Sequence, residues 1–440
     1  MRRSLSSVVL GISLLAPACA KKSQDAAPRA AEPTVEGKVG ASDTYNKADP
    51  GAAAGSAAAP APGATGGMAQ AAASVRAGEW DDNANYRDYA TWLRAASKNI
   101  ARLDITDRQF LVVEDRDGKP VPNCKLAVTS GQKLATLVTM ASGRALLFPH
   151  DVGFSADTAS VTATCGQATA KADVRLTKLD GVAELKLDMP RALPARRAID
   201  LAFVLDTTGS MGEEIDAVKG TIRAVADRLA NDQTDVRIGL VEYKDRTDAQ
   251  VTRVFPFSTN LAGFSASVAQ LRAEGGGDIP EDMQAGLTAA LDQLDWRRDA
   301  VARLIVVIAD APPHLDYQDE KDYADSARRA SSRGIKMFTV SASGMDDTGQ
   351  IVMRQMAQYT GASNMFVLRG GAGPQSVGGG DPKSSCGGTH DEYASGKLDQ
   401  LILRKVRQEL SALDADPMRI AGLGQDENAK PCNQRIVMAN

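Results

Sequence analysis

Oxygen-bearing side chains gather in three short segments of this 440-residue chain. In DTTGSM (Asp206 to Met211), Asp206, Thr208 and Ser210 alternate directly after the apolar run Ile199, Leu201, Ala202, Phe203, Val204 and Leu205. That alternation lets three oxygens converge on one point beyond a strand. In EGGGDIPED (Glu274 to Asp282), the glycines let the backbone pass close to an ion, and Pro280 suits the first turn of a helix with Asp278 just ahead of it. In IADAPPH, Asp310 ends the apolar stretch Leu304 to Ala309 and repeats the arrangement at Asp206. Hard oxygen donors suit a small hard cation, and Mg²⁺ fits best because it takes few protein ligands and keeps several waters; Ca²⁺ and Mn²⁺ are alternatives.

Both apolar runs read as fully buried parallel strands, which deliver their terminal side chains to the carboxyl edge of a sheet. In open α/β sheets ligands bind at that edge. Ile215, Val218, Ile222, Val225 and Leu229 recur at spacings of three and four, giving an amphipathic helix just after the first loop. Val236–Tyr243, Lys336–Val340 and Met365–Leu368 read as further strands, Ala324–Arg333 and Gln350–Tyr359 as helices. Leu398, Leu401, Ile402, Val406 and Leu410 make a last helix, after a Gly-rich insertion at 370–393. Strand alternating with helix predicts an α/β, doubly wound fold around a mostly parallel sheet.

Taken together, DTTGSM, GGGDIPE and DAPPH resemble the von Willebrand factor A (VWA) domain and its metal-ion-dependent adhesion site, in a hemicentin-type or bacterial variant, over residues 198–413, with 414–440 as a tail. The resemblance assigns Asp206, Thr208 and Ser210 to the first metal loop and Asp310 to the last acidic position. The family's middle Thr has no counterpart; Asp278 is the choice there, with Glu274 and Glu281 as substitutes. A bland reading stands beside each residue: Asp206 or Ser210 could cap the following helix, and Asp278 could complement a helix dipole. What the resemblance implies is Mg²⁺-dependent capture of a protein presenting an Asp or Glu carboxylate, or of a surface polymer, without catalysis. The alternatives are a scaffold whose ion only stiffens the loops, or a metal-dependent hydrolase using His314 beside bound water. A lone His in a Pro-rich loop reads first as a surface residue, His150 and His390 have no evident partners, and no GxSxG or P-loop spacing occurs. A third carboxylate in the shell is expected to bring the ion closer to neutrality and weaken its pull on a partner's acid.

The rest of the chain sets the context. With 51 basic and 55 acidic residues there is no basic excess and no nucleic-acid footprint. Arg2 and Arg3 precede an apolar stretch from Leu5 to Leu15, too short to span a bilayer and read as an export signal. Its end, through Ala16, Pro17, Ala18 and Cys19, resembles a bacterial lipobox, which implies lipidation of Cys19, membrane contact through that anchor alone, and the cell envelope, with Ala20 pointing to the outer membrane. Plain cleavage after Ala18 or Ala20 is the alternative. Four cysteines remain; within candidate domains the simplest pairs are Cys124 with Cys165 and Cys386 with Cys432. Residues 20–78, rich in Ala, Pro and Gly, read as a disordered tether. Residues 79–107 read as a short helical segment with Tyr89, Trp92 and Leu93 on its apolar face. Short strands and turns over 108–190 predict a β-sandwich, and DGKPVPNCKLAV with TMASGRALLFP resembles carboxypeptidase-regulatory or transthyretin-like modules, implying a spacer or binding module.

Overall fold

The structure is a computed structural model, and it describes residues 75–96, 100, 102–176, 180–193, 196–231, 235–342, 344–367 and 394–424. Cys19, the export segment, nearly all of the tether, the Gly-rich insertion and the pair Cys386 and Cys432 lie outside the described residues.

The described chain opens with β1 (Arg76–Trp80) and α1 (Tyr86–Ala96). The strand departs from the sequence expectation, which ran the tether to residue 78 and began a helical segment at 79. Four of its five residues are buried, because it pairs antiparallel with two strands near the C-terminus. Tyr86, Tyr89, Trp92 and Leu93 of α1 join an apolar cluster with the helices and strands that follow.

Seven strands come next: β2 (Arg108–Glu114), β3 (Lys125–Ser130), β4 (Lys133–Val138), β5 (Arg144–Leu147), β6 (Thr158–Cys165), β7 (Ala168–Arg175) and β8 (Asp180–Lys186). They form a three-stranded sheet, β5-β2-β8, facing a four-stranded one, β4-β3-β6-β7. Alternation does the work in β3, where Leu126 and Val128 point inward against Leu111 and Val113. A disulfide joins Cys124 to Cys165 at the register Lys125↔Thr164. β2 is buried along its whole length. One face closes the sandwich core, while Phe110 and Val112 on the other face enter the apolar cluster that contains α1.

The chain then returns to the α/β sheet through β9 (Ala198–Asp206), α2 (Ile215–Asn231), β10 (Asp235–Tyr243) and β11 (Thr252–Ser258). After these come α3 (Leu261–Val268), α4 (Met283–Asp292), β12 (Ala302–Ala309), α5 (Tyr323–Ser332), β13 (Ile335–Ser341), α6 (Asp347–Tyr359), β14 (Asn364–Val367), β15 (Ala394–Lys397) and α7 (Leu398–Ala412). The eight strands run in the order β11-β10-β9-β12-β13-β14-β1-β15. The centre, β10 through β14, is parallel, while β11, β1 and β15 pair antiparallel at the two edges. Every residue of β9 and β12 is buried, as expected for strands covered by helices on both faces. α2 buries the predicted stripe Ile215, Val218, Ile222, Val225 and Leu229. Because β1 belongs to this sheet, the sandwich is inserted between its strands rather than strung before it.

Candidate metal centre

β9 and β12 are adjacent and in register, Ile308 opposite Leu205, so Asp206, the last residue of β9, and Asp310, the first after β12, emerge one step out of register at the carboxyl edge. The chain past Asp206 turns into a short 3-10 segment, Gly209–Glu213, anchored by buried Met211. Thr208 donates from both its backbone N and its Oγ1 to Asp206 Oδ1, at 2.9 and 2.7 Å. Thr208 Oγ1 lies 3.1 Å from Ser210 Oγ, which donates to Asp310 Oδ1 at 3.0 Å. The four oxygens form one continuous chain, and Ser210 keeps it open to solvent while Asp206 and Thr208 are fully buried.

The second loop packs directly on the first. Glu274 N donates to the Thr207 carbonyl and Gly209 N to the Gly275 carbonyl, at 3.0 and 3.1 Å. Gly275 and Gly276 hold left-handed backbone conformations, φ 81° and 83°. A Cβ on Gly276 would fall 2.9 Å from Glu281 Oε1 and 3.2 Å from Thr208 Cβ, so this glycine leaves the space where Glu281 faces the first loop.

Asp278 is not brought to the cluster. It stands exposed on the loop, and among the described residues no hydrogen bond or ion pair ties it to Asp206, Thr208, Ser210 or Asp310. Glu274 is also turned outward, pairing with Lys244 at 3.6 Å. The acid delivered inward is Glu281, only 2% exposed. Its backbone N donates to the Pro312 carbonyl and its carbonyl accepts from His314 N, at 3.0 and 3.1 Å, which stitches the second loop to the third. Nor does Pro280 open a helix: its peptide bond with Ile279 is cis, and α4 begins at Met283 with Asp282 as cap, accepting from Ala285 N at 2.9 Å.

Burial dominates the electrostatics. It raises Asp206 to about 7, helped by the charge of Asp310 and opposed by hydrogen bonds from Thr208 and Tyr243. It raises Asp310 to about 6 against the bond from Ser210. Glu281 rises to about 8, through burial and then the charges of Asp206 and Asp245. Among the described residues no Lys, Arg or His side chain pairs with any of the three, and Glu281 Oε2 is buried with no hydrogen-bond partner. Three buried carboxyls without a counter-cation are costly to ionise, so the pocket fits a divalent ion on charge grounds. It also fits on donor chemistry. Among the described residues no three Asp, Glu, His or Cys side chains are arranged to hold an ion alone, and a cation here relies on the hydroxyls of Thr208 and Ser210 as well.

Beside this cluster sits a second layer that the sequence reading missed. Asp245, in the loop after β10, is 1% exposed and held below the usual carboxylate range: burial pushes it up, but bonds from the Arg246 and Thr247 backbone, Thr247 Oγ1 and Tyr317 outweigh that. His314, read as a surface residue, is buried. Its Nδ1 is 2.8 Å from Asp316 Oδ1, its Nε2 3.4 Å from Asp245 Oδ1, and its ring stacks on Tyr317 at 3.9 Å. These contacts fix the wall of the site rather than aim the imidazole at Asp206 or Asp310.

Residues 200–371 match the family model described as von Willebrand factor type A domain. The chain is 33% identical over 159 residues to the alpha-protein kinase vwkA of Dictyostelium discoideum, covering 35% of this chain and 24% of that protein. It is 39% identical over 106 residues to the human von Willebrand factor A domain-containing protein 7, covering 24% of this chain and 11% of that one. Among solved structures, an aerotolerance-related membrane protein of Bacteroides fragilis aligns with TM-score 0.32 and 13% identity, over 48% of this chain and 98% of its own. Proximal thread matrix protein 1 from the mussel byssus, with a zinc-occupied MIDAS motif, aligns with TM-score 0.31 and 15% identity, over 37% and 40%. The chain thus spans about a quarter or less of the curated relatives it matches, and what it shares with them is one module: residues 200–371 are a von Willebrand factor type A domain.

Proposed function

We propose that this chain is a non-enzymatic binding protein that captures another protein or a surface polymer through a divalent ion, with Mg²⁺ the best fit, held by Asp206, Thr208, Ser210, Asp310 and Glu281. VWA domains typically mediate protein–protein interaction and often bind a divalent metal at this edge. The observation that carries the reading is the set of three buried carboxyls, joined through two hydroxyls, with no positive side chain against them. When bound, the ion supplies an open coordination position for an oxygen of the partner. The protein's own part is to hold the donors in place, through the Thr208 bonds to Asp206 and the Ser210 bond to Asp310.

Glu281 supports a more specific reading of the partner. A third carboxylate beside the ion, that of Glu281, lowers the positive charge the site presents, which disfavours a partner's Asp or Glu and favours a neutral carbonyl or hydroxyl oxygen. It also supports the scaffold alternative, since a neutralised ion serves well to tie loops together. The export-like N-terminus and Cys19 support placement in a bacterial envelope on a lipid anchor.

The test is retention of purified full-length chain on an envelope fraction with Mg²⁺ and with EDTA. Retention that depends on Mg²⁺ and is lost in Asp206→Ala is expected. Retention that survives EDTA with the fold intact removes the ion from the mechanism, and a fall in melting temperature on chelation without any change in retention selects the scaffold.

A further inference from the structure

We infer a second binding site, for a small monocarboxylate with an apolar body, at the seam between the sandwich and the α/β sheet. A pocket of about 160 Å³ lies there, close to the size of a cavity that takes up benzene. Phe110, Met140, Leu146, Phe338 and Ile420 supply apolar wall, and Arg144 supplies a guanidinium. Sites of this kind, concave and mostly apolar with one convergent charge, occur preferentially at domain interfaces.

The charges around the pocket single out Arg144. Lys336 is paired with Glu409 at 2.5 Å, and Lys405 with Glu79, whose other bond comes from Ser363 Oγ at 2.6 Å. Asp81 turns Oδ1 to its own loop, accepting from Asn83 N and Ala84 N at 2.9 and 3.0 Å. Arg144 has no carboxylate within 4.0 Å among the described residues. Its Nη2 donates to the Arg419 carbonyl at 3.3 Å, and its Nε is buried with no hydrogen-bond partner among the described residues. A mostly buried guanidinium of this kind lacks its anion, and carboxylate matches its planar donor pair. The charges of Glu409 and Asp416 reach Arg144 only from beyond ion-pair distance, which leaves its donor pair for a ligand carboxylate.

The roof is the stretch after α7. Gly422 lies so close to the Ala84 loop, with φ 74°, that a Cβ there would collide with the Ala84 carbonyl. Ile420 and Ala421 are thereby laid across the pocket. Binding against this stretch is expected to protect residues 413–424 from amide exchange.

The test is a calorimetric titration of the full chain with benzoate, in EDTA so that the metal centre does not contribute. The expected result is saturable binding to the wild type and to Asp206→Ala alike, at least tenfold weaker for Arg144→Gln and at least tenfold weaker for the neutral probe benzyl alcohol. Ala412→Phe, which fills the pocket and keeps the cation, is expected to abolish it, and decides the matter if Arg144→Gln does not fold. Absence of saturable benzoate binding, equal binding by a folded Arg144→Gln or Ala412→Phe, or loss of binding in a folded Asp206→Ala overturns the proposal.

Discussion

The seam and the carboxyl edge both bury acids, and they treat them in opposite ways. Around the seam four buried carboxylates meet a cation: Asp151 with Arg328 of α5 across it at 2.8 Å, Asp180 with Arg108 between two sandwich strands at 2.8 Å, and, within the α/β part, Asp82 with Arg354 at 2.5 Å and Glu79 with Lys405. At the edge Asp206, Glu281 and Asp310 meet hydroxyls and one another. These pairs are self-contained and serve architecture: Asp151–Arg328 ties the sandwich to α5, Arg108–Asp180 joins two sandwich strands, and the other two hold β1 and its loop to α6 and α7. The edge is left open in charge, and that open charge is what makes it a binding site.

Removing one member of a pair should therefore act in opposite directions at the two places. The largest effect is expected for Arg108→Met, which removes the bidentate partner of Asp180 where both side chains are essentially inaccessible. It should cost about 3–5 kcal/mol in denaturant unfolding, and a cost below 1 kcal/mol would mean that the seam pairs are not structural. Asp206→Asn should do the reverse in EDTA, raising stability by on the order of 2 kcal/mol at pH 8 because one of three clustered charges is gone.

The edge has a pH signature, to which Asp82 near the seam adds, since burial outweighs Arg354 and holds it at about 6. Asp206, Asp310 and Glu281 stand at about 7, 6 and 8 in the folded chain, above their unfolded values of roughly 4. The folded state then holds more protons than the unfolded state in that window. Without metal, stability should fall as pH rises from about 4 to about 8. Mg²⁺ should cancel the fall, so its stabilisation in a thermal melt grows from pH 5 to pH 8. A melting temperature that rises over this range in EDTA would contradict the assignment. The smallest effect belongs to Ser210→Ala, which keeps every carboxylate and should weaken Mg²⁺ only several-fold, with the fold unchanged.

What could be read in advance follows the same physics. Asp206 and Asp310 were legible because the unbroken apolar runs Leu201–Leu205 and Leu304–Ala309, both buried in parallel strands, end at them. Thr208 and Ser210 followed from their alternation. Glu281 was harder, because four acids, Glu274, Asp278, Glu281 and Asp282, stand within five residues of Gly277, and which one faces inward depends on the path of the loop through three glycines. Asp282, the true cap of α4, made Asp278 look like the residue at the helix start. β1 was hidden for another reason. RAGEW places Arg76 and Glu79 in a strand of five, and burial of Glu79 makes sense only with Lys405, which lies more than three hundred residues on. His314 looked like a surface residue because its partners Asp245 and Tyr317 converge on it only in the fold.

Calorimetric titration of Mg²⁺ into the full chain at pH 7.5, wild type beside Asp206→Ala and Asp278→Ala, tests the central claim most directly. One site per chain, lost in Asp206→Ala and intact in Asp278→Ala, is the predicted result. Saturable Mg²⁺ binding that a folded Asp206→Ala retains, or the absence of binding in the wild type, would contradict it.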